Sequence, residues 1–247
     1  MKITRLILLA IITTLASCKK EKTDGSVAIS TVKITPIKHG TLVLETNKDV
    51  IYIDPTGGKE AFKDQKKPTL VLITDIHGDH LDIKTLESLD LDDTMILGPK
   101  AVMEQLPKDL GKIMVTLNNG NLYNYKKLSI ETIPMYNLRE EALKFHPKGR
   151  GNGYVITING ERIYISGDTE DILEMRNLKD IDKAFVCMNL PYTMTVGSAA
   201  SAVLEFKPKK VYPYHYRGTE GLSDINKFKS IVNEANETID VIFLKWY

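Results

Sequence analysis

The stretch Thr74-Asp75-Ile76-His77-Gly78-Asp79-His80-Leu81-Asp82 follows directly on the apolar run 70–73, so a buried strand ends in a burst of carboxylates and imidazoles. Ligand groups of α/β sheets gather outside such carboxyl ends. Residues two apart on extended backbone point the same way, so Asp75 and His77 can converge on one ion, while Asp79 and His80 turn toward a second position as the chain curls into a helix. Imidazole and carboxylate are the donors of hydrolytic zinc, manganese or iron sites.

The chain reads as strands in a meander at 32–35, 41–45 and 50–53, an antiparallel start with Asn47-Lys48-Asp49 as the turn between the latter two. The rhythm then changes to strand 70–74, helix 83–89, strand 95–97, helix 101–106 and strand 113–117. A second half repeats this order. Strands are expected at 128–135, 154–158 and 162–166, the last two joined by Asn159-Gly160, a hairpin dipeptide. A helix after Asp168, strand 184–188, helix 198–206, strand 211–214, helix 225–235 and strand 239–244 complete it. Asp75, Asp168 and His215 each come just after a short apolar strand, and His146 lies on the Pro- and Gly-containing loop 146–153.

The run Asp75-Ile76-His77-Gly78-Asp79-His80 resembles the H-x-H-x-D-H signature of metallo-β-lactamase-fold hydrolases, with Asp75 where the first histidine would stand. His146, Asp168 in Ser166-Gly167-Asp168, and His215 follow in that family's order, so four of the five histidines fall on ligand positions. Lys38-His39-Gly40, Ile53-Asp54-Pro55 and Pro191-Tyr192-Thr193-Met194 are similar to the ascorbate-6-phosphate lactonase-like branch. The resemblance covers roughly residues 30–247 and implies an αββα four-layer sandwich, with two mixed sheets face to face and helices outside. It also implies two divalent metal ions: one on Asp75, His77 and His146, the other on Asp79, His80 and His215, with Asp168 bridging. By the same resemblance, water activated by the pair attacks an ester, lactone, amide or phosphoester, with Asp79 and Asp168 as the catalytic carboxylates. A carboxylate at position 75 is a harder, anionic donor, which shifts preference from zinc toward manganese or iron, or weakens one of the two sites.

Other residues have plainer readings. His39 beside Gly40, and Asp54 ahead of Pro55, are expected to stand behind the ligands. Asp168 has a competing role as cap of a helix beginning around Thr169. Cys187 is expected to be a small buried hydrophobe. Tyr192 and Met194 can line a pocket but read first as packing, and Lys148 and Arg150 beside His146 can meet an anionic substrate group but read first as solvated loop charges.

The N-terminus reads as an export signal, residues 1–17, with Lys2 and Arg5 before an apolar core too short to span a bilayer. Leu15-Ala16-Ser17-Cys18 is similar to a bacterial lipobox, which implies a lipid on Cys18, a polar tether over 18–29, and a hydrolase domain over 30–247 held at the cell envelope outside the cytoplasm. Without residues 1–17 the chain carries 31 basic against 32 acidic side chains, which offers no electrostatic case for nucleic acid. The expected partners are a membrane, through the lipid, and a small-molecule or envelope-component substrate. A metal-binding lipoprotein with little turnover and a phospholipid-cleaving phosphodiesterase are the alternatives.

Overall fold

A computed structural model describes residues 31–111 and 113–247. The signal, Cys18 and the tether lie outside the described residues. Strands β1 (Lys33–Lys38), β2 (Thr41–Glu45) and β3 (Val50–Ile53) form the antiparallel start, followed by β4 (Leu70–Leu72), helix α1 (Ile83–Ser88), β5 (Met95–Gly98), α2 (Lys100–Met103) and β6 (Ile113–Thr116). These six strands make one sheet in chain order, antiparallel up to β3 and parallel from there to β6.

The second sheet takes β7 (Leu122–Tyr125), β8 (Leu128–Met135), β9 (Gly151–Ile158), β10 (Glu161–Ile165), β11 (Lys183–Val186), β12 (Lys210–Pro213) and, beyond the small hairpin β13 (Arg217–Gly218) and β14 (Gly221–Leu222), the edge strand β15 (Asp240–Val241). Helices α3 (Leu173–Arg176), α4 (Val196–Phe206) and α5 (Ile225–Ala235) are interleaved with its parallel part.

The period of two along each strand explains the layering. Leu42 and Leu44, Ile51 and Ile53, Leu70 and Leu72, Met95 and Leu97 enter one core together with second-sheet residues such as Ile130, Ile156 and Ile163. Their alternates Val43, Tyr52, Val71 and Ile96 enter a second core with Phe62, Leu86 and Val102, under α1 and α2. Ala199 and Val203 of α4 and Phe228 and Val232 of α5 close the far side. The αββα expectation holds. The helix starts are set locally, as Asp82 accepts from the Thr85 amide, Thr195 from Ser198 and Asp224 from Lys227.

Several expected elements shift. The helix expected at 101–106 is one turn, α2, and the strand at 239–244 pairs only over β15. The helix after Asp168 begins at Leu173 with Ile172 at its cap position, so Asp168 does not cap it. Among the described residues no helix is long and apolar enough to cross a membrane.

Candidate metal centre

The site forms where the two sheets meet at the carboxyl ends of β4, β10 and β12, as the strand-end pattern predicts. The sheets are tied there directly: Tyr154 Oη donates to the Ile73 carbonyl at 2.6 Å, and the Asn152 amide to the Thr74 carbonyl at 2.9 Å.

Asp54, fully buried with φ 45°, sits behind the site. Its carboxylate accepts from the Thr74 amide at 2.7 Å, from Thr74 Oγ1 at 2.6 Å, and from His80 Nδ1 at 2.8 Å. With Nδ1–H committed to Asp54, the Nε2 of His80 faces forward as a donor atom. It lies 3.2 Å from His215 Nε2, 3.5 Å from Asp168 Oδ2 and 3.9 Å from Asp79 Oδ1. His215 Nε2 in turn is 3.1 Å from Asp79 Oδ2 and 3.6 Å from Asp168 Oδ1. A Cβ at Gly40 would come within 3.2 Å of His215 Cδ2 and 3.4 Å of His80 Cε1, so the absence of a side chain there lets the two imidazoles stack. His39, with φ 51°, accepts the His215 amide on its carbonyl and pairs its Nδ1 with Tyr247 Oη at 3.0 Å. It stands behind His215.

The second ligand group joins Asp75, His77 and His146. His146 Nδ1 donates to the Tyr192 carbonyl at 3.1 Å, which leaves its Nε2 free, 3.4 Å from Asp168 Oδ2 and 3.8 Å from Asp75 Oδ2. Asp168 therefore reaches both groups. Asp75 is already paired: Arg150 Nε and Nη2 donate to its two oxygens at 3.0 and 2.8 Å, and His77 Nδ1 lies 2.9 Å from Oδ2. Arg150 also donates to the Phe145 carbonyl and reaches His77 Nε2 at 3.4 Å. Its side chain is only 17% exposed, which overturns the reading of Arg150 as a solvated loop charge.

Electrostatics follow from this crowding. Burial alone would lower the His80 imidazole, but Asp168 and Asp54 override it and hold its pKa well above the ordinary value, so in the metal-free chain Nε2 carries a proton that metal binding would release. Burial would raise the Asp168 carboxyl, yet His215 and His80 hold it well below the usual range. Asp79 and Asp75 are likewise depressed against burial, Asp79 by His215 and His80, Asp75 by His77 and Arg150. His146 is lowered by burial, so its imidazole is neutral.

The donor set fits divalent metal. His146 Nε2 and Asp168 Oδ1 are buried without a hydrogen-bond partner, a cost a cation would remove. The 3.2 Å separation of the His80 and His215 Nε2 atoms is close to the edge, about 3.3 Å, of a tetrahedron with metal–nitrogen bonds near 2.0 Å.

Comparison with known proteins agrees. Residues 33–215 match the family described as the Beta-lactamase superfamily domain. A crystal structure of a metal-dependent hydrolase from Parabacteroides distasonis is 41% identical, with a TM-score of 0.76, over 86% of this chain and 92% of that one. The chain belongs to the β-lactamase superfamily of metal-dependent hydrolases. A UPF0173 metal-dependent hydrolase of Archaeoglobus fulgidus is 27% identical over 87% of this chain and 96% of its own length. Igni18, a metallo hydrolase of Ignicoccus hospitalis, shares the fold, with a TM-score of 0.72 at 24% identity over 87% of this chain and 95% of that one.

Within this β-lactamase superfamily site, His77, Asp79, His146 and Asp168 line a cleft of about 300 Å³ with Phe145, Asn189 and Tyr192. Tyr192 is 37% exposed and forms part of the wall, whereas Met194 is buried packing as expected. Cys187 is buried too, its thiol pushed up to about 12 by that burial. Sequence reasoning missed the brace behind the wall. Glu170, buried, accepts from the amides of Leu138 and Arg139 and from Arg139 Nε at 2.6 Å, while Arg139 Nη2 donates to the carbonyls of Pro191 and Thr193. Asn137 Nδ2 donates to Tyr192 O at 2.7 Å. These contacts hold the loop whose carbonyl orients His146, and the one available signal was a Glu beside the site aspartate.

Proposed function

We propose that this chain hydrolyses a small ester, lactone, amide or phosphoester in the cleft above Asp168, in keeping with the lactonase-like motifs Lys38-His39-Gly40 and Ile53-Asp54-Pro55. The observation that carries this is the convergence of two buried imidazoles, His80 and His215, with His80 aimed by Asp54, on the two carboxylates Asp79 and Asp168 that line a cleft open to solvent at Asp79. Asp79, His80, His215 and Asp168 are the residues that would hold one metal, and His77, His146, Asp75 and Asp168 those nearest a second position. When bound, a divalent ion lowers the pKa of water toward neutrality and polarises the electrophile.

The chain's own groups do the rest. Asp79, with 45% of its side chain exposed, is ionised and lines the cleft, where it can orient a water by accepting its hydrogen bond. Asp168, buried between both groups, stays anionic and anchors them. Phe145 and Tyr192, packed edge to face at 5.1 Å, give an apolar wall, and Asn189 a polar contact for orientation. A cleft of about 300 Å³ suits a small molecule or one end of a larger one.

The sequence Leu15-Ala16-Ser17-Cys18 supports attachment through lipid on Cys18, which would work the enzyme at the envelope side of a bacterial membrane. Intact mass after globomycin treatment of producing cells tests it. An unprocessed N-terminus is expected, and unchanged cleavage would rule lipidation out. The hydrolytic reading is tested on a panel of esters, lactones, amides and phosphoesters with and without chelator. Turnover should appear on at least one class, stop with chelator, and fall by about 100-fold or more in Asp79→Asn. Turnover insensitive to chelator would refute it.

A further inference from the structure

We infer that the two ligand groups are unequal, with Asp79, His80, His215 and Asp168 taking the tightly held metal, and Arg150 standing as a fixed positive charge that keeps Asp75, His77 and His146 from holding a second ion at comparable affinity. This rests on the metal-dependent reading above. The contrast lies in what each donor atom is already doing. In the Asp75 group both carboxylate oxygens receive Arg150 N–H bonds, at 3.0 and 2.8 Å. His77 Nδ1 lies against Asp75 Oδ2 at 2.9 Å, and His77 Nε2 faces Arg150 Nη2 at 3.4 Å. Only His146 Nε2 is without a partner there.

In the His80 group no Lys or Arg pairs with a ligand among the described residues, and His80 is aimed forward by Asp54. A metal on the Asp75 group has to draw Asp75 Oδ2 away from a guanidinium that cannot give up its proton, and then share a buried corner with it. The fold builds this contact. Arg150 follows Gly149, whose φ of 88° and the Arg150 amide bond to the Pro147 carbonyl turn the side chain inward, and the Phe145 carbonyl holds it. An imidazole at position 75 would need no such counter-charge, so Asp75 and Arg150 act as one unit: the carboxylate neutralises the arginine, and the arginine supplies the charge a second ion would bring.

The test is metal binding itself, read on the purified, stripped chain by calorimetry and by plasma mass spectrometry after dialysis, with Zn²⁺ alone and with Mn²⁺ alone. The native chain should hold one equivalent tightly and a second about 100-fold more weakly, or not at all, the repulsion between single and double charges a few ångströms apart being ample for that. Arg150→Gln should strengthen the second site by about 10-fold or more and leave the first unchanged, while Arg150→Lys, which keeps the charge, should not. The double variant Asp75→His with Arg150→Gln should take two equivalents, and circular dichroism reports folding for each. Two equal sites in the native chain, or a second site weakened by Arg150→Gln, would overturn the inference and leave the hydrolytic reading standing. No metal in any variant would overturn both.

Discussion

Replacing Asp54 by Asn isolates the group that aims His80. The carboxylate accepts three hydrogen bonds, two on Oδ2 and one on Oδ1. An asparagine has one acceptor oxygen, and the Thr74 amide can be satisfied only by that oxygen. The amide nitrogen then faces Thr74 Oγ1, which can accept, and His80 Nδ1, which cannot while it carries a proton. Either the two donors oppose each other or the imidazole moves its proton to Nε2, the atom that points into the site. Loss of such an orienting partner lowers metal affinity by about 10- to 100-fold, or about 1.4 to 2.7 kcal/mol. The shape of the side chain is kept, so the fold should survive, as checked by circular dichroism. Competition against a fluorescent zinc chelator measures the affinity. A folded Asp54→Asn chain that binds zinc within about threefold of the native protein would refute the claim that Asp54 sets the His80 tautomer.

Four further outcomes are expected. Glu170→Ala leaves two amides and Arg139 Nε without their acceptor, and should destabilise the chain by about 2–4 kcal/mol in urea unfolding while loosening the Tyr192 loop; a loss under about 1 kcal/mol would mean the brace carries little. Gly40→Ala presses on His215 at 3.2 Å and His80 at 3.4 Å, so zinc affinity should fall several-fold with stability changed by about 1 kcal/mol, read by the same chelator competition. Cys187, with its thiol at about 12, carries a thiolate fraction of about 10⁻⁴ at pH 8 and should resist alkylation until urea unfolds the chain, as peptide mass mapping would show. His39 is lowered to about 4 by burial and the neighbouring His215, so its unfolded form binds more protons between about pH 4 and 6.5. The His39 contribution to metal-free stability should therefore fall as pH drops through that window, and a His39 resonance titrating near 6.5 would contradict it.

The strands themselves were legible as short apolar runs, such as 42–44 and 51–53, with the ligand candidates at strand ends, but both faces of those runs are apolar, so the four-layer order came from the resemblance carried by 75–80, His146, Asp168 and His215. What escaped has physical reasons. β7 exposes Leu122 and alternates weakly, as an edge strand with solvent on one side does. β15 pairs over two residues because it too is an edge. The helix at α3 starts late, since the chain after Asp168 first runs back to let Glu170 meet Arg139 and its amide meet the Tyr136 carbonyl. Arg150 looked solvated because nothing in its own loop announces a partner 75 positions earlier. The departure at Asp75 and the arginine beside His146 explain each other only once both are placed in space.

The most direct measurement is an anomalous difference map from crystals of the metal-loaded chain, collected at the absorption edge of the bound metal. The strongest peak should lie between His80 Nε2, His215 Nε2, Asp79 and Asp168. No peak there, or a dominant peak elsewhere in the molecule, would contradict the assignment of this cluster as the metal centre.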